Sequence, residues 1–391
     1  MNAEQSLEAR SAGRGSAAEW FASRSDRLNG PARLPGVDLA RGLAVIGMLA
    51  AHLITIDPLV WTDPATWAGI VQGRSSILFA TLAGVSIGIV TGGRSPWTGE
   101  RMSTARLRLV SRAFILWLLG LLLITTGVPV VVILPAYAIL FLLAIPFTGF
   151  GARTLFVIAG GLALVTPFLA AFIDTLPLWD SDTGTFLGLL VGWRYPFVSW
   201  ISFVVAGLAV ARAGLRRTRV QVGIAVGGAA LALVAGALDT LTGAETDAEP
   251  SSVWDAVWTA GAHSGGILEV VGSGGFALAI LGASLLLCRT FVVWIVLPLR
   301  AVGSMPLTAY TFQILVWGAV ATLVLGAPGR LFDFRDLDPF PAFALGTITA
   351  CTVWALAVGR GPLEWLTDVI TRFMVPAGER GGDVRADRLE R

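Results

Sequence analysis

Long apolar segments separated by short polar connections make up the chain from residue 36 to residue 358. Most of them reach about 20 residues, the length that an α-helix needs to cross the hydrocarbon core of a bilayer. We therefore predict an all-α fold, a polytopic membrane helical bundle of about ten transmembrane helices. The ten predicted spans are residues 36–56, 74–92, 107–127, 129–148, 153–173, 195–212, 220–241, 264–288, 303–326 and 340–358.

Two amphipathic segments remain outside these spans. Residues 291–300 are predicted to lie in the membrane interface or to extend a neighbouring helix. Residues 362–374 alternate apolar and charged side chains at helical spacing, which predicts a helix lying on the inner membrane surface.

The composition agrees with a lipid environment. Hydrophobic residues make up 55% of the chain and charged residues 14%, whereas a soluble domain carries roughly 25% charged residues. So few charges do not cover a water-exposed surface of this size. The lipid bilayer is therefore the first predicted partner.

Arginine placement predicts the orientation, since the chain has no lysine. Arginines concentrate in alternate connections, and several of the opposite connections are acidic, as at Asp180 and Asp182. Because basic residues favour the cytoplasmic side, we expect both termini in the cytoplasm and a multi-pass protein of the plasma membrane. Residues 1–32 and 376–391 are predicted to be disordered cytoplasmic tails, with the bundle in residues 33–375.

The first span carries three polar side chains of chemical interest. Asp38 and Arg41 are three residues apart, so they share a helix face and can pair. His52 follows Arg41 by almost three whole turns and lies on the same face, about 16 Å along the axis. Charge inside a span is costly and points to function. The alternative is that Asp38 and Arg41 anchor the span at the interface while a backbone carbonyl satisfies His52.

The second and last histidine of the chain, His263, precedes the eighth predicted span. Glu269 follows six residues later, and both are expected on the outer side with His52. Histidine is the usual general base near neutral pH, and a carboxylate can orient it. A polar loop cap is the alternative for His263. Arg74, also expected on the outer side, is predicted to bind an anionic substrate group or a developing oxyanion; the alternative is snorkelling to lipid headgroups.

One motif is misleading in this context. Residues 84–88, Gly-Val-Ser-Ile-Gly, match the nucleophile elbow of serine hydrolases, which requires a strand, a turn and a helix. Here the motif lies within a predicted span, where Gly84 and Gly88 are expected to form a helix-packing face. The sequence contains neither the histidine or cysteine spacing of a metal site nor the motif of a phosphate-binding loop. We therefore predict no metal site and no nucleic acid binding.

Four segments resemble the transmembrane acyltransferase superfamily. Residues 33–44, Arg-Leu-Pro-Gly-Val-Asp-Leu-Ala-Arg-Gly-Leu-Ala, resemble the start of its first span. Residues 73–84, 263–269 and 303–313 look most like the YeiB-like bacterial membrane proteins, which are related to heparan-α-glucosaminide N-acetyltransferase and to the acyltransferase type 3 enzymes. At residues 64–69, where the heparan enzyme has a catalytic histidine before Trp-Asn-Gly, this chain has neither histidine nor asparagine.

The resemblance implies transfer of an acyl group, expected to be acetyl, from cytoplasmic acyl-CoA to an acceptor on the outer face. In the type 3 family an arginine followed about ten residues later by a histidine is essential, and Arg41 and His52 match that spacing. Arg41 would then hold the anionic CoA end, and His52 would act as base. His263 and Glu269 would assist, and Asp38, Arg74, Tyr310 and Gln313 are expected to bind substrate or cofactor.

We therefore predict an acyl-CoA-dependent acyltransferase that acts on a hydroxyl or amine of an extracytoplasmic glycan, lipid or metabolite. The alternative is a proton-coupled transporter or exporter of a small molecule, in which the same buried charges form a proton relay. The sequence does not decide whether the protein forms a homodimer.

Overall fold

The computed structural model describes residues 28–30, 33–57, 59, 63–243 and 252–376, and the regular secondary structure of these residues is helical, with no strand among them. The α-helices, in chain order, are α1 Pro35–Leu53, α2 Arg74–Val90, α3 Gly99–Ile124, α4 Leu134–Ala144, α5 Ala152–Asp174, α6 Asp182–Val191, α7 Phe197–Ala213, α8 Thr218–Thr242, α9 Val253–Val257, α10 Ile267–Leu287, α11 Val292–Ile295, α12 Leu297–Ser304, α13 Pro306–Leu325, α14 Leu331–Arg335, α15 Phe340–Ala357 and α16 Pro362–Met374. Short 3₁₀ helices at Pro64–Val71 and Ile145–Gly149 lead into α2 and continue α4.

Eight helical segments in the described part of the chain are long and apolar enough to cross a membrane. Two further predicted spans correspond to shorter apolar helices, Leu134–Gly149 and Phe197–Ala213. The 17 residues of the latter rise about 25 Å, within the range for a span. The prediction of an all-α membrane bundle with about ten spans is confirmed, although several boundaries move; α3, for instance, begins at Gly99, eight residues earlier than predicted.

Helices α1, α2, α7 and α10 form the centre of the bundle, and α5, α8 and α15 expose most of their surface. The glycines of the misleading motif explain one of the central contacts. A side chain at Gly84 would collide with the backbone carbonyl of Val204 on α7, and one at Gly88 with Ala211. The predicted helix-packing face is therefore present, and α2 is a continuous helix through the motif.

Helix α12 crosses α1 at equally close range. A side chain at Gly42 would collide with the carbonyl oxygen of Leu299, and one at Gly303 with the carbonyl oxygen of Asp38. The segment predicted at 291–300 thus divides into α11 and the start of α12, and α12 packs on the first span. The helix is interrupted at Met305, and Pro306 starts α13. The predicted ninth span is therefore not one continuous helix from residue 303.

Helix α16 has the predicted bounds and an amphipathic surface. Its Trp365 and Phe373 are exposed. Glu364, in its first turn, accepts hydrogen bonds from the backbone N–H groups of Leu307 (2.7 Å) and Thr308 (3.1 Å). Because the first N–H groups of a helix have no partner within it, Glu364 caps α13 and fixes α16 to the bundle.

The tails predicted at 1–32 and 376–391 lie almost entirely outside the described residues. In the described part, Leu28 is buried and its carbonyl accepts a 2.6 Å hydrogen bond from the buried Arg300. Packing therefore begins a few residues before the predicted start of the bundle.

Candidate functional site

Two cavities of the described bundle contain different charged groups. The first, of about 470 Å³, has Arg33, Asp38 and Arg41 in its wall together with many apolar side chains; we call it the arginine cavity. The second, of about 720 Å³, contains both histidines of the chain, His52 and His263; we call it the histidine cavity. The polar residues of α1 thus divide between two separate spaces.

The start of α1 places Asp38 and Arg41 in the arginine cavity. Pro35 begins the helix, and Asp38 lies in the first turn, where a negative charge is favoured by the helix dipole. The carboxylate of Asp38 accepts a hydrogen bond from Arg33 at 3.1 Å and pairs with Arg41 at 3.4 Å. The predicted Asp38–Arg41 pair is present, and Arg33 completes it.

Arg41 also reaches across to α2. Its Nη2 donates a 2.6 Å hydrogen bond to the hydroxyl of Ser86, which in turn donates to the carbonyl of Leu82 at 2.7 Å. Ser86 is the serine of the misleading motif. Its role in this structure is to fix the guanidinium of Arg41 in the cavity wall.

A pair of tyrosines lies where the two cavities approach each other. Tyr137 lines the arginine cavity, and its hydroxyl donates a 2.9 Å hydrogen bond to the carbonyl of Ser76, which lines the histidine cavity. Tyr310, also in the arginine cavity, accepts a 3.3 Å hydrogen bond from the backbone N–H of Ile133. These bonds join helices α2, α4 and α13 in the wall between the cavities.

His52 lies in the last turn of α1. Its carbonyl accepts a 2.9 Å hydrogen bond from Nε of Arg335, and the carbonyl of Ala51 accepts one of 3.3 Å from the same guanidinium. A cation at the carboxyl end of a helix satisfies carbonyls that have no partner within the helix. Arg335, which the sequence analysis did not single out, thus fixes the end of α1 from which His52 projects.

A tight turn before α10 places His263 in the same cavity. His263 has a positive φ of 64°, and Gly265 one of 70°. Glu269 stabilises this turn by accepting hydrogen bonds from the backbone N–H groups of His263 (2.6 Å) and Gly265 (2.7 Å). The predicted association of Glu269 with His263 is therefore present, but it runs through the backbone and not through the imidazole.

The ring of His263 is held by aromatic side chains. It packs edge-on against Tyr195, with 5.1 Å between ring centroids, and lies 5.7 Å from the ring of Trp200. Its Nδ1 is buried with no hydrogen-bond partner in the part of the chain that the structure describes. Burial, assisted by the charge of Arg194, lowers the pKa of His263 to about 4, so the imidazole is neutral near pH 7.

Three further polar residues of the histidine cavity were missed by the sequence analysis. Nε1 of Trp193 donates a 2.8 Å hydrogen bond to Asp174, and Arg194 follows Trp193 in the same wall. Trp193 also stacks on Trp179, with ring centroids 5.1 Å apart. All of them lie near span ends, where Trp, Asp and Arg are common for interfacial reasons, so their type alone carries no functional signal.

Two predicted binding residues lie outside both cavities. Arg74 begins α2 and interacts electrostatically with Glu269 and with Asp239 of α8. Gln313 is buried, and its amide donates a 3.4 Å hydrogen bond to Thr347 of α15. The structure therefore places His52 and His263 in the histidine cavity. It places Asp38, Arg41 and Tyr310 in the arginine cavity. Arg74 and Gln313 instead make contacts between helices.

The fold and these two cavities define a polytopic helical membrane protein with an arginine cavity and a histidine cavity. A family model described as "Heparan-alpha-glucosaminide N-acetyltransferase, catalytic" matches residues 33–237, which is more than half of the chain. The chain therefore belongs to this family of membrane proteins. A second model, described as "Protein of unknown function (DUF418)", matches residues 211–373. Among curated proteins the comparison found no match.

Proposed function

We propose that the protein is a membrane acyltransferase that moves an acetyl group from acetyl-CoA in the arginine cavity to an acceptor in the histidine cavity. The observation that carries the proposal is the placement of both histidines, 211 positions apart in sequence, in the wall of one cavity. Arg41, on the same helix as His52, lies in the other cavity. Membership of the acetyltransferase family supports the reaction type.

The arginine cavity suits the donor. CoA combines phosphates with a long, largely apolar pantetheine arm, and this cavity combines arginines with apolar side chains such as Leu116 and Phe141. Guanidinium groups bind phosphate through paired, charge-assisted hydrogen bonds. The rise of about 16 Å from Arg41 to His52 is comparable to an extended pantetheine arm. The thioester would then reach the wall formed by Tyr137 and Tyr310.

The histidine cavity suits the acceptor. In the proposed step the acceptor hydroxyl or amine attacks the carbonyl carbon of the thioester, and its proton passes to the imidazole of His52. The new C–O or C–N bond forms as the C–S bond breaks, and the CoA thiolate leaves and takes up that proton. His263, neutral near pH 7, is available as a second hydrogen-bonding group for the acceptor. The distribution of arginines supports a cytoplasmic donor side. The plasma membrane is the proposed location.

The donor half of the proposal is tested by titrating acetyl-CoA into the purified protein in an uncharged detergent and measuring heat. We expect saturable binding that weakens about tenfold to a hundredfold in Arg41→Ala, because a charge-assisted contact is lost. Arg153→Ala is the matched control, since Arg153 is exposed at the start of α5. A folded wild-type protein that binds no acetyl-CoA contradicts the proposal.

A proton-coupled transporter is the second candidate, and one observation favours it. Two tyrosine side chains separate the cavities through hydrogen bonds to the backbone, Tyr137 to the carbonyl of Ser76 and Tyr310 from the N–H of Ile133, as a substrate path with a closed gate would be separated. Proteoliposomes with a pH gradient and entrapped pH dye test it against the acyltransferase. Proton flux that depends on glucosamine, without acetyl-CoA, would favour transport.

A further inference from the structure

Helix α16 and helix α3 bring a cluster of arginines to the rim of the arginine cavity. Arg112 of α3, Arg360 in the turn before α16 and Asp368 of α16 all belong to the cavity wall. Arg372 joins them from the next turn of α16. We call Arg112, Arg360, Arg372 and Asp368 the rim cluster. It is distinct from the group of Arg33, Asp38 and Arg41 at the start of α1.

A single carboxylate serves the three guanidinium groups of the rim cluster. Oδ2 of Asp368 pairs with Arg360 at 2.9 Å and with Arg372 at 2.8 Å, and Oδ1 lies 3.5 Å from Arg112. The side chain of Asp368 is 15% exposed, whereas those of Arg360 and Arg372 are 46% and 68% exposed. The anion is therefore at the centre and the cations surround it.

The cluster lacks negative charge. Arg112 is subject to repulsion from Arg108, Arg360 and Arg372, and to attraction from Asp368 alone in the described residues around it. Its Nε is also buried with no hydrogen-bond partner there. Burial opposes ionisation of Asp368, but the hydrogen bonds and charges of Arg360 and Arg372 lower its pKa, so the carboxylate is charged. Three guanidinium groups against one carboxylate leave about two positive charges of the rim cluster unbalanced.

We propose that the rim cluster is a phosphate-binding site, in which Asp368 takes the place of the ligand until a phosphate group displaces it. A phosphate offers more charge and more acceptor oxygens than a carboxylate, and the planar guanidinium fork matches it. Two sources supply this chemistry: the nucleotide phosphates of the acyl donor, in which case the assignment rests on the proposed function, or the headgroup of an anionic lipid. The ion pairs of Asp368 are partly exposed, and such pairs contribute little.

The rim cluster joins the regions of the chain that the two family models match. Arg112 lies in the region matched by the acetyltransferase model, whereas Arg360, Asp368 and Arg372 lie in the region of unknown function. Helix α16 is anchored through Glu364, one turn before Asp368, so the rim residues of α16 can readjust without releasing the helix.

The test uses the full chain in an uncharged detergent and adenosine 3′,5′-bisphosphate, which carries phosphates but no acyl group or pantetheine arm. We expect saturable binding in calorimetry, about tenfold tighter in Asp368→Asn, which removes the competing charge, and about tenfold weaker in Arg360→Gln. Arg360 is half exposed, so this variant is expected to fold even if Arg112→Gln does not. Arg153→Gln is the control for loss of one exposed positive charge.

A second arm distinguishes the lipid source. The wild type and Arg360→Gln are reconstituted in nanodiscs with phosphatidylglycerol, and retained lipid is counted by native mass spectrometry. Phosphatidylglycerol retained by the wild type and lost in Arg360→Gln, without bisphosphate binding, assigns the site to a headgroup and supports the phosphate proposal. Equal bisphosphate binding and equal lipid retention in all variants overturn it.

The outcomes separate this inference from the proposed function. If acetyl-CoA binding depends on Arg41 but is unchanged in Asp368→Asn and Arg360→Gln, and lipid retention is unchanged too, the rim cluster is not the phosphate site and the acyltransferase proposal stands. If the bisphosphate binds as expected but no acetyl transfer is detected, the site is supported and the acyltransferase proposal fails.

Discussion

The carboxylate of Glu269 accepts a 2.6 Å hydrogen bond from the backbone N–H of His263. Glu269 therefore determines the path of the turn that carries the imidazole, and it does not contact the ring. A second bond, from the N–H of Gly265, makes the same carboxylate the partner of two donors in a turn with two positive φ angles. In this structure Glu269 is a positioning residue for His263.

Replacing Glu269 with alanine is expected to destabilise the protein by about 2–4 kcal/mol, because two backbone donors in a largely buried turn lose their acceptor. Glu269→Gln keeps one acceptor oxygen and should lose about half as much. Thermal unfolding in detergent measures both variants. An unfolding temperature of Glu269→Ala equal to that of the wild type would show that the turn does not depend on this carboxylate.

The lowered pKa of His263 predicts a pH dependence of stability. The pKa is about 4 in the folded protein and 6.5 in its ordinary state, so the unfolded chain binds more protons between these values. Stability contributed by His263 is present above about pH 6.5 and is lost as the pH falls toward 4. Between about pH 7 and pH 5 the loss is on the order of 2 kcal/mol. The slope should be reduced in His263→Gln, and an unchanged slope would contradict the assignment.

The close crossing of α1 and α12 predicts a steric effect at Gly42. A methyl group there collides with the carbonyl oxygen of Leu299, so Gly42→Ala should destabilise the protein by about 1–3 kcal/mol. Gly160→Ala is the control, because a side chain at Gly160 on α5 meets no atom within 4 Å. That control should be neutral or stabilising by up to about 1 kcal/mol. Equal unfolding temperatures for the two variants would contradict the crossing.

Arg335 is expected to act on His52 by holding the end of α1. Arg335→Gln removes the cation that binds the carbonyls of Ala51 and His52, so we expect kcat for acetyl transfer to fall about tenfold while acetyl-CoA affinity is unchanged. Arg335→Lys should restore part of kcat. Binding calorimetry and initial rates separate the two effects. A change in acetyl-CoA affinity with kcat unaltered would exclude this role.

The sequence was sufficient for the fold because each membrane helix satisfies its own backbone hydrogen bonds, so apolar run length predicts the element directly. It was also sufficient for the pair Asp38–Arg41, whose three-residue spacing sets their contact. The positions at which one helix ends and the next begins were harder to predict. At the interruption after Met305, the first N–H groups of α13 find their acceptor in Glu364, on a helix more than 50 residues away in sequence.

The candidate site was only partly predictable for the same reason. His52 and His263 were expected on one side, and the structure places them in one cavity. The contact of Arg335 with His52 joins residues 283 positions apart. No periodicity encodes such a pairing. Arg74 and Gln313 were assigned from local motif and resemblance, and the tertiary packing places their side chains among helices.

The most direct test of the acyltransferase account compares wild type with His52→Gln for transfer of labelled acetyl from acetyl-CoA to glucosamine, the sugar that the family description indicates. The proteins are reconstituted in liposomes, and acetyl-CoA binding is measured on the same samples. We predict transfer by the wild type and a reduction of about a hundredfold or more in His52→Gln with acetyl-CoA affinity unchanged. Transfer at the wild-type rate in His52→Gln would contradict the assignment of His52 as the base.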